Sequence, residues 1–240
     1  MLSGRMIVLI YYFEGTVFNT EAQAIVNTIN CKGFMGAGLA LEFKLRYPEM
    51  YKEYKLKSQR NEIKTGVVSY YETKDGKIIV NFPTKYDFRY PSRIKWIEQG
   101  LDDFVKTYKK IGIGSVAFPL LGTNKGGLNS ETVKKIMVEK LAEIDIVVYI
   151  CLDEKKEAEG IEKKMVESIN SMPSDKLKEL IKLSSKQVKN ICNDRPYDRF
   201  REITQTQSIG EKTYSKLFRY FLEKFQDGDK REKFQKLPFG

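Results

Sequence analysis

The sequence predicts an α/β fold carrying a helical extension, and three observations support that prediction. Six short apolar runs rich in β-branched residues are spread over the first 151 positions, helical patterns stand between them, and the strand pattern stops after Ser171-Met172-Pro173-Ser174. Strands alternating with helices give a largely parallel or mixed sheet covered on both faces. Ligands of such sheets sit at the carboxyl ends of the strands.

Taken in order, the expected strands are residues 6–12 (Met-Ile-Val-Leu-Ile-Tyr-Tyr), 24–29 (Ala-Ile-Val-Asn-Thr-Ile), Val67 to Tyr71, Ile78 to Phe82, Ser115 to Pro119 and Ile146 to Cys151. The second strand enters a glycine-rich loop and then a helical stretch through Phe43. A longer helix is expected behind a Ser92 cap, where Ile94, Ile97, Leu101, Phe104, Val105 and Tyr108 recur at helical spacing. Two more are expected over 130–142 and 155–169. These elements place one domain over residues 1–171 and a helical extension over 172–240, with helices at 175–191 and 212–225 and a break at Asn193 to Pro196. Tyr214, Phe218, Phe221 and Phe225 lie at helical spacing and suit core packing, whereas the charged end from Gly228 to Gly240 is expected to lack order.

A chain of 240 residues that is 41% hydrophobic buries a full core. No apolar run approaches the roughly 20 residues needed to span a bilayer, and Met1 to Met6 is too short and polar for a signal peptide, so a cytoplasmic protein without membrane attachment is expected. Cys31, Cys151 and Cys192 are scattered without pairing, as reduced thiols are. There is no histidine, which removes the commonest general base and metal ligand; catalysis must run on Lys, Tyr, Cys or a carboxylate, and no metal is expected. The net charge is +10, and from Met172 onward 16 Lys and Arg face 10 Asp and Glu, so the extension carries most of the excess. That excess favours polyanionic partners such as nucleic acid, or reflects a Lys-rich composition alone.

Two strand-to-helix loops carry the chemistry. The first reads Val26-Asn27-Thr28-Ile29-Asn30-Cys31-Lys32-Gly33-Phe34-Met35-Gly36-Ala37-Gly38-Leu39-Ala40; the second reads Pro119-Leu120-Leu121-Gly122-Thr123-Asn124-Lys125-Gly126-Gly127-Leu128. Glycines let the backbone approach a ligand, and amides at the following helix start suit a phosphate; two such loops can grip a diphosphate from both sides. Asn27 and Asn30 suit sugar hydroxyls, or cap and turn the chain.

These segments, with Asn81-Phe82-Pro83-Thr84-Lys85 between them, resemble the macro domain family, and within it the DarG and TARG branch of ADP-ribosyl glycohydrolases. The resemblance runs from about residue 5 to about residue 170. It implies a three-layer α/β/α sandwich with a mixed sheet of about six strands and an ADP-ribose cleft across the strand ends. It implies further that Thr16 and Val17 border the adenine, that Gly36, Ala37 and Gly38 with Gly122, Thr123, Asn124, Lys125 and Gly126 cradle the diphosphate, and that Asn30 meets the distal ribose. Asn27, Lys32, Leu39, Pro119 and Leu121 complete the expected ADP-ribose-binding set.

The resemblance makes Lys85 catalytic. A desolvated lysine beside another cation can attack an electrophilic sugar carbon, or its ammonium can stabilise a departing base. Three departures from the family pattern stand out. Gly15-Thr16 replaces the usual acidic residue that reads adenine, leaving backbone or Glu14 for that contact. Gly126 occupies the position of an aspartate that resolves the lysine adduct in the protein-directed branch. Thr123, Asn124 and Lys125 fill the middle of a loop that usually reads Gly-Cys-Gly-Asn-Gly-Gly, and Lys125 either pairs with phosphate or points to solvent. Cys31 lacks a base and suits a structural thiol. Tyr86, Asp87, Phe88, Arg89 and Tyr90 interleave rings and charges, which suits stacking on an extruded base or closing the cleft.

The expected activity is removal of ADP-ribose from thymidine in single-stranded DNA, as the antidote to a DNA-modifying toxin. The partners are then ADP-ribosylated DNA and a cognate ADP-ribosyltransferase; ADP-ribose is ligand and product, and no cofactor is required. The same cleft would admit ADP-ribosyl esters on protein carboxylates or O-acetyl-ADP-ribose, and a reader without turnover would leave Lys85 idle.

Overall fold

Alternating side chains of a central sheet build two cores, one on each face. The computed structural model describes residues 9–235, with side chains through residue 226. The first of its two compact units ends at Glu154. Its elements are β1 (Leu9–Phe13), β2 (Ala24–Asn30), α1 (Gly38–Arg46), α2 (Pro48–Gln59), β3 (Ser69–Glu72), β4 (Ile78–Lys85), α3 (Ile94–Ile111), β5 (Ser115–Pro119), α4 (Ser130–Leu141) and β6 (Val147–Cys151). All six expected strands are present; the start of the first, residues 6–8, lies outside the described residues.

The strand order is β1-β6-β5-β2-β4-β3, parallel throughout except for β3, which runs antiparallel at the edge. On β2, Ala24 and Val26 face one core with Ile97, Leu101 and Phe104 of α3 and Val133, Met137 and Leu141 of α4. Ile25 and Ile29 face the other core with Phe43 of α1 and Met50 and Tyr54 of α2. The two-residue period of a strand thus produces the three-layer sandwich.

Helix α3 buries Ile97, Leu101, Phe104 and Tyr108 on one stripe and stops at Gly112, whose φ of 76° admits the left-handed cap. Its start corrects the sequence reading. Arg93, not Ser92, is the N-cap, with no side-chain cap bond, and Ser92 is buried one residue earlier. Helix α4 starts as expected, with the Asn129 side chain accepting from the Thr132 amide at 3.0 Å. Helix α2, which the hydrophobic pattern does not announce, opens on Pro48 and buries only Met50, Tyr54 and Ser58.

The second unit begins at Lys155. It contains α5 (Gly160–Ser171), α6 (Ser174–Ile181), α7 (Ser185–Asp194), a 3-10 turn over Phe200–Gln205 and α8 (Glu211–Gln235). The division therefore falls one helix before the expected 171/172, because α5 shares its core with the C-terminal elements. The buried Arg199 guanidinium donates to Glu162 of α5 at 3.0–3.2 Å, and the Phe200 amide donates to the same carboxylate at 3.0 Å. Phe200 also packs its ring on Tyr214, Phe218 and Phe221 of α8 at 5.6–6.0 Å, so these three rings are core, as their spacing predicts, whereas Phe225, the fourth of that series, is only half-buried.

The expected helix over 155–169 starts only at Gly160, and that over 175–191 is two helices, interrupted at Lys182 with a φ of 53° and restarted by a Ser184–Gln187 capping box. Helix α8 continues through Gln235 rather than ending at Phe225, and residues 236–240 of the end expected to lack order lie outside the described residues. No helix among the described residues is long and apolar enough to cross a membrane.

Candidate functional site

Three neighbouring strands, β5, β2 and β4, end at Pro119, Asn30 and Lys85, and the loops that follow them meet at this edge of the sheet. Asn30 organises the first loop. Its carboxamide donates to the Phe34 carbonyl at 2.6 Å and accepts from the Lys32 amide at 2.9 Å, while the Tyr54 hydroxyl donates to the Asn30 carbonyl at 2.7 Å. Burial pushes the Tyr54 phenol well above its ordinary range, so it remains a donor. The Asn30 side chain therefore turns the chain, one of the two roles its position allowed.

The Cys31 amide donates to the Lys85 and Tyr86 carbonyls, both at 3.1 Å, tying the first loop to the end of β4. Burial raises the Cys31 thiol pKa, with the Lys32 charge opposing it, which keeps the sulfur protonated and structural. Beyond Met35 the loop opens: Gly36 is half-buried, Ala37 and Gly38 are exposed, and α1 begins at Gly38 with no side-chain cap. Its first amides are the kind of uncapped donors that suit a phosphate.

The second loop folds over Ser92. Gly122 has a φ of 67°, and the Ser92 amide donates to the Gly126 carbonyl at 2.9 Å. A Cβ on Gly126 would stand 2.5 Å from the Ser92 hydroxyl oxygen and 4.0 Å from Lys85 Cε. An aspartate there would have to displace Ser92, so packing accounts for the glycine at this position. Asn124 and Lys125 are exposed on the tip.

Lys85 lies between the loops, partly buried, with its ammonium donating to the Lys125 carbonyl. Burial, and then the like charge of Lys125, lower its pKa below the ordinary lysine value. Lys125 thus faces Lys85 through its carbonyl and acts on it through its charge.

The remaining expected contacts divide into two groups. Lys32 is exposed and donates to the Tyr86 hydroxyl at 3.0 Å, and Leu39 and Pro119 are half-buried at the edge. Val17, Asn27 and Leu121 are 0–1% exposed and support the cleft from beneath. The Asn27 side chain donates to Asn81 Oδ1 across β2 and β4 at 2.9 Å, and its own side-chain oxygen, Oδ1, is buried without a hydrogen-bond partner. Thr16 caps the Val17–Asn19 turn, its hydroxyl donating to Asn19 at 2.7 Å and accepting from the Phe18 amide at 3.3 Å. Sequence reasoning missed Ser92, read as a cap, and Tyr54, whose helix carried too weak a pattern to be seen.

A macro domain family model matches residues 26–137, and the macrodomain of Thermus aquaticus DarG is 32% identical, with the chain covering 98% of that structure and 60% of itself at a TM-score of 0.57. The chain belongs to the macro domain family. A Mycobacterium tuberculosis relative, DNA ADP-ribosyl glycohydrolase, is 39% identical over 160 residues, which are 64% of this chain and 46% of that protein. The structure of Thermosipho africanus DarTG in complex with ADP-ribose is 30% identical over 66% of this chain and 45% of that one, at a TM-score of 0.59. This macro domain chain thus spans about half the length of such relatives, and the matched residues 26–137 contain both glycine loops and Lys85.

Proposed function

We propose that this macro domain binds ADP-ribose between its two glycine loops and removes it from ADP-ribosylated DNA. The observation that carries the reading is Lys85: a partly buried lysine with a depressed pKa, held between two loops suited to a diphosphate. A reader would have no use for that arrangement. Relatives named DNA ADP-ribosyl glycohydrolases support DNA as the target over protein carboxylates.

In the reaction, the α1 amides and the second loop hold the diphosphate and present the distal ribose to Lys85. The neutral amine forms a bond to the anomeric carbon as the bond to the thymine base breaks. The electron pair leaves with the base, which takes up a proton, and water then displaces the lysine and releases ADP-ribose. A transferase that installs the mark is the partner such an activity requires, in the cytoplasm where DNA is exposed to both.

The test is release of ADP-ribose from a thymidine-modified single-stranded oligonucleotide by the wild type and Lys85→Ala. Release that collapses by about 10³-fold or more in a variant that still binds ADP-ribose is the expected result, on the scale of losing a nucleophile. Tight ADP-ribose binding by the wild type with no release would overturn the DNA-hydrolase reading.

A further inference from the structure

Six aromatic rings are exposed among the described residues, and four of them, Phe34, Tyr86, Phe88 and Tyr90, lie on the two segments that the Cys31 amide ties together at the Lys85 and Tyr86 carbonyls. Singly exposed rings are ordinary, but here Phe34 and Phe88 touch, the Arg89 guanidinium lies near both Phe88 and Tyr90, and exposed rings clustered on two joined segments mark a contact surface. We propose that this patch is a stacking platform for the nucleobases flanking the modified nucleotide, so that the enzyme engages a short stretch of single strand rather than one nucleoside. The proposal rests on the DNA-hydrolase reading and extends it to named residues.

The rings are held in place. Phe34 from the first loop and Phe88 from the β4–α3 connection meet at a centroid distance of 4.5 Å with their planes at 37°, leaving each 43–44% exposed. Lys32 donates to the Tyr86 hydroxyl at 3.0 Å and lies 4.3 Å from that ring's centroid. Asp87 folds the connection inward: its buried carboxylate accepts from the Arg89 amide and guanidinium at 2.6–3.0 Å, and its carbonyl accepts from the Tyr90 amide at 3.2 Å. The segment is pinned at Tyr86 by Cys31 and at Ser92 by Gly126. Five residues between two anchors have little room to swing over ADP-ribose, which favours a fixed platform over a closing lid.

Charge identifies the occupant. The Arg89 guanidinium lies 5.8 and 5.9 Å from the Phe88 and Tyr90 centroids, and Lys32 in the first loop and Arg93 at the end of the connection are exposed. The one carboxylate of the segment, Asp87, is buried against Arg89. Exposed rings interleaved with cations and no outward-facing acid fit bases and phosphates of an unpaired strand. A duplex would hide the base faces that the rings require.

The experiment compares ADP-ribose release from ADP-ribosylated thymidine and from a single-stranded oligonucleotide carrying one such thymidine at its centre. The proteins are the wild type, Phe88→Ala, Tyr90→Ala and the conservative Phe88→Trp. Each alanine variant is expected to lose about tenfold in kcat/KM on the oligonucleotide, the scale of one lost base stack. The nucleoside rate and ADP-ribose affinity stay unchanged, and Phe88→Trp retains oligonucleotide activity. Equal losses on both substrates would mean that the rings close over ADP-ribose, and no loss on either would mean that they contact nothing; both outcomes overturn the platform. Binding of the unmodified oligonucleotide in the presence of ADP-ribose is read in parallel and needs no turnover. Should the wild type cleave neither substrate, the hydrolase reading fails separately, and the platform stands or falls on whether Phe88→Ala and Tyr90→Ala weaken that binding.

Discussion

At Lys85 two opposing influences meet on one ammonium. Burial and the charge of Lys125 favour the neutral amine, while the Lys125 carbonyl accepts from Nζ and favours the cation; the net pKa lies below the ordinary lysine value. Lys125→Ala separates the two, because it removes the like charge and keeps the carbonyl. The Lys85 pKa then rises, and at any pH below it a smaller fraction is neutral. If the neutral amine attacks, kcat at saturating substrate falls at neutral pH, its rising limb moves to higher pH, and the alkaline plateau is unchanged. A lysine acting as ammonium would give the opposite profile, with a rate that declines as pH rises through the pKa and a decline that moves to higher pH in the variant. The pH–rate profile of both proteins decides between them. Lys85 was legible only through the resemblance carried by Asn81-Phe82-Pro83-Thr84-Lys85, because a lysine at a strand end looks the same in sequence whether it faces a ligand or solvent. Ser92 was not, because a serine just before a helical pattern looks the same in sequence whether it caps the helix or lies beneath a loop.

The elements were legible in proportion to how apolar and periodic they are. The six strands are apolar runs, and α3 presents a stripe of large side chains interrupted at Gly100, so their places are set by burial. Helix α2 reveals itself only by Met50, Tyr54 and Ser58 among charged neighbours, and the break at Lys182 rests on one residue adopting a left-handed φ without glycine to announce it. Helix α3 approaches β4 closely at Gly100. A Cβ on Gly100 would come within 2.3 Å of the Phe82 ring, which is wholly buried three residues before Lys85. Gly100 is helical, so the reason for glycine is packing and not backbone conformation, and alanine's better helix propensity does not rescue it. Gly100→Ala is expected to lower stability by about 1–3 kcal/mol through overpacking, and to impair turnover through displacement of β4. Urea denaturation measures the first; a variant as stable as the wild type would mean that Phe82 yields freely.

For the chain as a whole, composition disclosed the excess of positive charge but not where the units divide. The expected boundary followed the last strand-like pattern and a Pro-containing break, whereas the actual one is set by α5, whose Glu162 is committed to Arg199 some 37 residues later; such a pairing has no local trace. The charge itself has two readings, a field that draws in a polyanion or a solvated surface without consequence, and ionic strength separates them. Lys186 and Lys189 are exposed on α7, in the unit that does not contain Lys85. Changing both to glutamate lowers the net charge by four, from +10 to +6, and alters no residue of the unit that carries Lys85. Screening lengths are about 30 Å at 0.01 M salt and about 3 Å at 1 M, so a field effect acts only at the lower concentration. The double variant is therefore expected to lose severalfold in kcat/KM on the modified oligonucleotide at 0.01 M and to match the wild type at 1 M. Both should show a smaller salt dependence on the modified nucleoside, which carries fewer phosphates. A deficit that persists at 1 M would mean that the strand touches α7 directly, and no deficit at either concentration would leave the second unit's charge without a part in substrate capture.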